Sequence, residues 1–203
     1  MSKIILKRIR VSVLIALVFC IVISMVTFDA KCEDLRNNVL RLHIRANSDS
    51  EDDQTLKLKV RDAVLKNNSV QFNECTNLEE AIITAQSSVD EIKTTAEQVI
   101  RQNDYNYEVD VEIGESYFDT REYENFTLPA GFYNSVIIKI GEARGKNWWC
   151  VMFPSLCVPS SCARLQDSVD EGSAKVAQNA TKYKMAFKTV EIYEKIKKIV
   201  LNK

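Results

Sequence analysis

The order of apolar and polar residues predicts a β-strand at residues 39–46. Leu42 and Ile44 alternate with Arg41 and His43 along this stretch. Because successive side chains of a strand point to opposite faces, the alternation predicts one buried apolar face and one solvent-facing basic face. We therefore expect His43 to be solvated between two arginines.

A helix over residues 49–66 is predicted next, because the run "NSDSEDDQ" has the features of a helix start. Ser48 with Glu51, or Ser50 with Asp53, forms a capping box, in which a side-chain oxygen accepts a backbone N–H that has no partner within the helix. The acids of this run also lie at the positive end of the helix dipole.

The same acids could instead belong to a calcium-binding loop, and their spacing decides against it. Such a loop requires glycine at its sixth position and a bidentate glutamate at its twelfth. With Asp49 at position one, these positions hold Gln54 and Val60. We expect no metal site here, and no metal or other cofactor in the protein.

A second long helix is predicted over residues 78–102. Apolar residues recur there at steps of three and four, which gives one apolar stripe along the helix. Asn77 with Glu80 provides the start signal. We expect the stripe to pack on the protein's own sheet, and a coiled-coil partner is the alternative.

The period changes to two at Tyr105, which predicts β-strands in the middle of the chain. Their expected positions are residues 105–113, 132–140 and 147–153. Gly141 and Gly145 bracket a short connection between the last two strands. We therefore expect these two strands to form an antiparallel hairpin.

The chain is expected to end in a strand and a helix. Residues 160–181 have no aromatic and few large aliphatic side chains, so they are predicted to form a mobile loop. Residues 182–188 alternate and predict a strand, whereas residues 189–201 have helical spacing. The expected fold class is α+β, with a mostly antiparallel sheet packed against two long helices and a C-terminal helix in one domain, residues 39–203.

Residues 1–28 are set apart from this domain by charge and hydropathy. Four basic residues and no acidic residue precede the uncharged run "VSVLIALVFCIVISMVTF". This is the pattern of a signal peptide or an N-terminal transmembrane anchor. A helix of that length, about 27 Å, just crosses a hydrocarbon core of about 30 Å. We expect the domain to be exported and to follow a short linker at residues 29–38.

Charge removes nucleic acid from the expected partners. The chain has 27 basic and 28 acidic residues. Without the four basic residues of the N-terminal segment, 23 basic residues remain against the same 28 acidic ones. Phosphate binding requires a basic surface, which this excess of acids does not favour.

The six cysteines of the chain raise the question of disulfides in an exported domain. Cys150, Cys157 and Cys162 cluster, but their spacing does not match a C-x2-C zinc hook, and the chain has only one histidine. A bridge between Cys150 and Cys157 would close a short loop and stabilise it by roughly 2.5 kcal/mol. Two free buried thiols are the alternative, and Cys162 could compete for either partner.

A secreted cysteine hydrolase, with Cys150 or Cys157 as nucleophile and His43 as base, is the enzyme alternative. His43 is the single histidine of the chain, and no glycine-rich oxyanion turn flanks either cysteine. The serine-hydrolase motif G-x-S-x-G is also missing from the sequence. We therefore expect no catalytic residue and no small-molecule substrate.

Trp148 and Trp149 are adjacent in the predicted strand at residues 147–153. Neighbouring strand residues must point to opposite faces of a sheet. Alternation therefore places only one of the two rings in the core. The other ring is expected to be covered by helices, a loop or a partner.

Two stretches of the sequence, "LRLHIRANSDSEDDQTLKLKVRDAVL" and "LPAGFYNSVIIKIGEARGKNWWCVMFPSLC", resemble stage II sporulation protein R of endospore-forming bacteria. The resemblance spans residues 39–158 and includes the basic and apolar N-terminal segment. It departs at Pro154 and Ser155, where two prolines are expected, and the chain beyond residue 158 matches no motif of the family.

The resemblance implies an exported signalling protein that is made in the forespore. It would be secreted, or anchored by its N-terminal helix, in the space between the forespore and mother-cell membranes. Its partner would be a membrane-embedded aspartic protease of the mother-cell side, stage II sporulation protein GA, which cleaves the sigma-E precursor. The protein would activate this protease and would not be an enzyme itself.

The resemblance also implies which residues contact the partner, by their positions in the matched motifs. They are Asn47, Asp49, Asp53, Gln54 and Arg61 in the first stretch and Asn147, Trp148 and Trp149 in the second. The alternative role of these residues is maintenance of the fold. A further functional alternative, a cell-surface structural protein, predicts expression during growth and no effect on protease activity.

Overall fold

The computed structural model describes residues 3–123, 126–154, 165 and 168–200. The helices in these ranges are α1 (Lys3–Asn37), α2 (Glu51–Glu74), α3 (Leu78–Ser87), α4 (Val89–Gln102), α5 (Glu171–Gln178) and α6 (Ala180–Val200). The strands are β1 (Leu40–Arg45), β2 (Val109–Phe118), β3 (Arg121–Glu122), β4 (Thr127–Leu128), β5 (Gly131–Ile140) and β6 (Asn147–Phe153). The predicted α+β class is confirmed.

Four strands form the main sheet in the order β2-β5-β1-β6. β1 pairs in parallel with β5 and antiparallel with β6, and β2 pairs antiparallel with β5. The sheet is therefore mixed, with two antiparallel pairings and one parallel pairing. The predicted β5–β6 hairpin is wrong, because β1 lies between these strands. β3 and β4 form a separate antiparallel pair.

One face of the main sheet is filled by aliphatic side chains, and we call it the apolar face. Leu42, Ile44, Val136 and Ile138 are fully buried on this face. Helices α2, α3 and α4 cover it with further apolar side chains, among them Val60, Ala85, Ile92 and Ile100. Burial of each large aliphatic side chain stabilises the fold by roughly 1.5–3 kcal/mol.

The opposite face, which we call the aromatic face, consists of Arg41, His43, Phe118, Tyr133 and Trp149. The end of α1, the β3–β4 pair and α5 cover it with apolar residues, which include Leu35, Val39, Leu128 and Ala177. Arg41 is 0% exposed and His43 is 3% exposed. The predicted solvent-facing side of β1 is therefore wrong, because β1 is an inner strand of a sheet covered on both faces.

The two helix starts expected from the sequence are confirmed. The Asp53 backbone N–H donates to the Ser50 hydroxyl oxygen, and the Glu80 N–H donates to the Asn77 side chain. These bonds satisfy amide groups that have no acceptor within their own helices. α2 continues to Glu74, beyond the end predicted at residue 66.

The helix predicted over residues 78–102 is divided at Ser88 into α3 and α4. Ser88 is buried, and its hydroxyl group lies 3.0 Å from Gln71 Oε1, to which it donates a hydrogen bond. Serine side chains compete with the helical backbone for such bonds. The apolar stripe continues through the break, so periodicity alone did not reveal it.

Two predictions for the C-terminal part are corrected. Helix α5 lies within residues 160–181, for which a loop was predicted, and α6 replaces the strand predicted at residues 182–188. Tyr183 and Phe187 are four residues apart, so on a helix both reach Phe28 of α1. Over so few residues, the alternation of polar and apolar side chains is compatible with both the strand period and the helix period.

α1 continues through residues 29–37, where a linker was predicted. Phe28, Cys32 and Leu35 are all buried. They follow steps of four and three, so an uninterrupted helix places them on one side, against the domain. The last turns of α1 are therefore part of the folded core.

The N-terminal part of α1 has the composition of a helix that crosses a membrane. Its most apolar window has a mean hydropathy of 2.9, and 6% of that window is buried. It is the single helix with this property in the described ranges. By length and composition, the segment fits a signal sequence or a membrane anchor.

Candidate functional site

Two connections of the chain cross each other at one edge of the main sheet. Because β1 lies between β5 and β6, the β5–β6 connection must pass over the carboxyl end of β1, a span of about 10 Å for two strand spacings. The chain that leaves β1 towards α2 passes under it. We call residues 46–54 and 141–147 together the loop crossing.

Backbone hydrogen bonds join the two halves of the loop crossing. The Gly145 N–H donates to the Ala46 carbonyl at 2.9 Å, and the Arg144 N–H donates to the Asn47 carbonyl at 3.2 Å. The Asn47 side chain adds a third bond, because its Oδ1 accepts the Glu142 N–H at 3.0 Å. Asn47, in the connection from β1 to α2, therefore holds the β5–β6 connection in place.

Glycine at two positions allows the connections to approach this closely. Gly141 has a φ of +55°, and a Cβ atom there would collide with Oδ1 of Asn47. A Cβ atom on Gly145 would collide with the backbone carbonyl oxygen of Ser48. The two glycines that marked a short connection in the sequence are thus required by its contact with the first motif.

Asp53 is the centre of a buried polar cluster in the loop crossing. It is 5% exposed and accepts hydrogen bonds from Asn47 Nδ2 at 2.9 Å and from the Ser48 hydroxyl at 2.6 Å. Burial alone would raise the pKa of this carboxyl group. Hydrogen bonds from Ser48, Asn47, Tyr107 and Ser50 together outweigh burial and hold the pKa below its ordinary value of 3.8.

Asp49, Gln54 and Lys57 complete the connection between the two halves. Asp49 Oδ1 accepts the Lys146 N–H at 2.6 Å, and Gln54 donates to the Ser48 carbonyl at 2.8 Å. The ammonium group of Lys57 donates to Gln54 Oε1 and to the Lys146 carbonyl. Burial lowers the pKa of Lys57. The polar side chains of the first motif are therefore bonded within the protein.

Trp148 and Arg61 form the border between the loop crossing and the apolar face. The guanidinium carbon of Arg61 lies 4.4 Å from the centroid of the Trp148 ring, a cation–π contact. Arg61 also forms an ion pair with Asp62 at 2.6 Å and is 21% exposed at its side chain. Trp148 is half-buried. Both side chains are accessible from outside the protein.

Trp149 points to the aromatic face, so the two adjacent rings face opposite ways as predicted. Its ring stacks on His43 at 3.9 Å between centroids and meets Phe118 edge-on at 4.7 Å. Asn147 Oδ1 lies 3.0 Å from His43 Nε2, so Nε2 is the protonated ring nitrogen. Burial lowers the pKa of His43 to about 4, so the ring is neutral at pH 7.

Arg41 is a buried cation that the sequence did not reveal. Its guanidinium carbon lies 4.0 Å from the Phe118 centroid and 4.9 Å from that of Tyr133. One of its nitrogens, Nη2, donates to the Tyr123 hydroxyl at 2.7 Å. Among the described residues, Nε and Nη1 have no hydrogen-bond partner. Within the described ranges, aromatic rings and not carboxylates surround this charge.

The position of Cys150 contradicts its use with His43 in a hydrolase. Cys150 pairs with Leu42 across β1 and β6 and lies in the core of the apolar face. His43 lies on the aromatic face, so the sheet separates the sulfur atom from the imidazole ring. Cys157 and Cys162 lie outside the described residues, so the Cys150–Cys157 bridge and a role for Cys157 stay predictions.

In the ranges that the structure describes, no group of three or more histidine, cysteine, aspartate or glutamate side chains is placed to hold a metal ion. The acids of "NSDSEDDQ" have other roles, because Asp53 and Asp49 bind groups of the protein itself.

The structure brings most of the predicted contact residues to one place. Asn47, Asp49, Asp53, Gln54 and Asn147 lie in the loop crossing, and Arg61 and Trp148 lie at its border, whereas Trp149 points to the other face. Sequence reasoning missed the charged side chains of the β5–β6 connection. Glu142 and Arg144 are 65% and 79% exposed at their side chains and pair with each other at 3.1 Å. Gly141 and Gly145 were the available signal for this connection.

Comparison with known proteins identifies the same family as the two motifs that meet at the loop crossing. The family model of stage II sporulation protein R matches residues 36–163. A relative of that name from Bacillus subtilis (strain 168) is 40% identical over 121 residues, which are 60% of this chain and 54% of the relative. The chain thus spans about half the length of that relative, and no solved structure matches. Because the family model covers more than half of the chain, the protein belongs to the stage II sporulation protein R family, and its role lies in sporulation.

Proposed function

We propose that the protein is an exported signal that activates a membrane-embedded aspartic protease, stage II sporulation protein GA. The protein is made in the forespore and acts in the space between the forespore and mother-cell membranes. Activation of the protease leads to processing of the sigma-E precursor. Membership of the family supports the sporulation role, and the apolar α1 supports export.

The observation that carries this proposal is the loop crossing. Both motifs that identify the family meet there, although they are far apart in the sequence. Asn47, Asp53 and Gln54 are buried or half-buried and form internal hydrogen bonds, so these residues shape the surface. We therefore assign direct contact with the protease to the accessible groups, which are Asp49, Arg61, Asn147 and Trp148.

Activation by binding has a thermodynamic requirement. The protein shifts the protease towards its active state only as far as it binds that state more tightly than the inactive one. Each tenfold shift in that equilibrium requires a difference of about 1.4 kcal/mol in binding free energy. A few accessible side chains on a rigid support can supply such a difference, because a single hot-spot residue of an interface contributes about 2 kcal/mol or more.

The test is complementation of a deletion strain in a sporulating host. Deletion of the gene should abolish processing of the sigma-E precursor, and the intact gene should restore it. Replacement of Arg61 by glutamine should reduce processing about tenfold or more, since Arg61 lies on the proposed contact surface. Immunoblots of the precursor and its product measure the outcome, with the amount of the exported protein as reference.

Arg101→Gln is the matched control. Arg101 is also a helix arginine that pairs with a neighbouring acid, Glu97, but it lies on α4 and in neither of the two matched motifs. Normal processing in the deletion strain would refute the assignment. Equal effects of Arg61→Gln and Arg101→Gln would refute the proposed surface while leaving the assignment in place.

A His43→Phe variant separates the activator from a hydrolase that uses Cys157. Phenylalanine keeps an aromatic ring against Trp149 but removes the only histidine base of the chain. An activator should retain processing in this variant. A folded His43→Phe protein with no function would favour the hydrolase.

A further inference from the structure

The last helix, α6, has a face that anchors it to the domain. Phe187, Val190 and Glu194 are 3%, 6% and 2% exposed. They follow steps of three and four, so they lie on one side of the helix. Phe187 contacts Phe28 of α1, and Glu194 lies 3.8 Å from Arg36 near the end of α1. This side of α6 is part of the fold.

The opposite side of α6 is apolar and exposed. Met185, Ile192, Ile196 and Ile199 are 81%, 53%, 56% and 77% exposed. They follow steps of seven, four and three and therefore form one stripe along the helix, which we call the outer face. A contiguous stripe of large apolar side chains is unusual on a surface that only water contacts.

Lysines surround the outer face. α6 contains six lysines and two glutamates, in a chain that has one more acidic than basic residue. Lys184, Lys188 and Lys195 follow steps of four and seven, so they line one border of the outer face. Lys188 and Lys195 are 63% and 49% exposed at their side chains, and both pair with Glu191 of the same helix. An exposed apolar stripe with a lysine border is the pattern of a helix that lies in a membrane surface.

The position of α6 in the fold agrees with this pattern. α6 contacts α1 at Phe28, and a cleft lies beside this contact, between α6 and the apolar part of α1. The cleft is lined by Leu17, Cys20, Ile21, Ser24, Met25 and Phe28 of α1 and by Ala186, Thr189 and Val190 of α6. These α1 residues lie in the helix that has the composition of a membrane span. A bilayer around this part of α1 therefore reaches the α6 residues that line the cleft.

We propose that α6 is an interfacial helix whose outer face lies in the surface of the membrane that α1 enters. The isoleucines and Met185 contact the acyl chains near the headgroups, and the lysines bind the phosphates of anionic lipids. This inference does not depend on the proposed activation of a protease. A second copy of this chain fits the outer face less well, because two α6 helices would bring their lysines together.

The test uses the full chain in vesicles of phosphatidylcholine brominated along its acyl chains, mixed with phosphatidylglycerol. Bromine quenches tryptophan emission on contact, so an added tryptophan reports whether its position reaches the acyl chains. Ile196→Trp places this reporter on the outer face. Val70→Trp is the matched control, since Val70 is also an exposed apolar helix residue, 65% exposed, on α2. Trp148 and Trp149 give both variants the same background.

We expect the tryptophan at position 196 to lose about half of its emission or more, relative to vesicles without bromine. The tryptophan at position 70 should lose little. α1 attaches both variants to the vesicle, so a difference between them reports α6. Equal quenching at the two positions would overturn the proposal, and so would a blue-shifted emission at position 196 without quenching, which indicates a protein partner.

The charge of the lipid gives the second measurement. Replacing Lys184 and Lys188 by glutamine in the Ile196→Trp protein should reduce quenching in vesicles with phosphatidylglycerol. The same replacement should have little effect in vesicles of phosphatidylcholine alone. Circular dichroism of each variant verifies that the fold is intact. Quenching that is independent of these lysines in both vesicle types would refute lipid phosphate binding.

Discussion

Both faces of the main sheet are buried, but by different kinds of side chain. The apolar face uses aliphatic side chains such as Leu42 and Ile138, which require only close packing. The aromatic face buries Arg41 and His43 and surrounds them with rings. Both faces are supplied by the same strand, β1, from alternate positions. The alternation of polar and apolar residues along β1 therefore separates two kinds of protein interior. It does not separate an interior from a solvent-exposed surface.

The difference has a physical cause in the rings of the aromatic face. An aromatic ring has a negative face, so the Phe118 and Tyr133 rings attract the guanidinium group of Arg41. His43 is uncharged at pH 7 and can stack on Trp149 as an apolar ring would. The aromatic face thus tolerates polar residues because its rings replace part of the solvation that water would provide. Predictions for each face follow from this contrast.

The largest effect is expected on the apolar face. Leu42→Ala should lower the free energy of unfolding by about 3 kcal/mol, because it removes buried methyl groups and leaves a cavity in a fully buried site. Chemical denaturation of the full chain in mild detergent, followed by circular dichroism, measures the change. A loss below about 1 kcal/mol would mean that the apolar face repacks easily.

His43 should make the aromatic face sensitive to acid. Its pKa falls from 6.5 in the unfolded chain to about 4 in the fold, because burial disfavours the charged ring. Protonation therefore favours the unfolded state, and the free energy of unfolding should fall by roughly 2 kcal/mol between pH 7 and pH 5. Denaturation at both pH values measures this loss.

The His43→Phe variant is the control for this pH dependence. It keeps a ring on Trp149 and has no group that titrates between pH 5 and pH 7 at this position. Its stability should be nearly constant over that range. An equal loss in the variant would assign the acid sensitivity to groups other than His43.

Arg41→Met should change stability less and in the opposite direction, with a gain of about 1 kcal/mol. Burial of a charge costs free energy, and no carboxylate bonds to Arg41 among the described residues. Methionine fills a similar volume and contacts rings favourably. Thermal denaturation compares the two proteins. A loss of more than about 2 kcal/mol would show that the cation–π contacts with Phe118 and Tyr133 outweigh the cost of burial.

The smallest effect is expected at the border of the apolar face. Arg61→Gln should cost about 0.5 kcal/mol, because the contact with Trp148 is partly exposed and water competes with it. A double-mutant cycle with Trp148→Leu measures the coupling between the two side chains. A coupling above about 2 kcal/mol would make Arg61 a structural residue and weaken its use as a probe of the contact surface.

Local structure was largely predictable from the sequence. Ser50 and Asn77 were identified as helix starts, and both side chains accept the expected backbone N–H groups. β1 was recognised by its alternation, since the period of a strand depends only on neighbouring residues. The opposite directions of Trp148 and Trp149 followed from the same rule.

Strand pairing and the covering of each sheet face were not predictable from the sequence, because they depend on residues that are far apart in the chain. Nothing near Arg41 in the sequence indicates that Phe118 and Tyr133 will lie above it. The insertion of β1 between β5 and β6 likewise joins segments that are far apart. The motifs of the candidate site were visible, but their contact through Asn47 was not, because it requires that insertion.

The mistaken C-terminal strand shows the limit of short patterns. Tyr183, Met185 and Phe187 alternate, and seven residues are too few to separate the two periods. Extending the pattern to Val190 and Glu194 gives helical steps, and these residues are indeed buried on one side of α6. The exposed position of Met185 confirms the helix, since a half-buried strand would have placed it beside Phe187.

The position of β1 in the sheet determines the order in which the protein can be assembled. β1 comes first among the strands, but both strands that flank it come near the end of the sheet-forming region, and Arg41 pairs with Ser135 on one side and Val151 on the other. Such non-local pairing forms slowly, because a long segment must be closed before any pair is made. A nascent chain that ends before β5 can form α1 and α2 but no main sheet, so its first strand stays without backbone partners until nearly the whole domain is available.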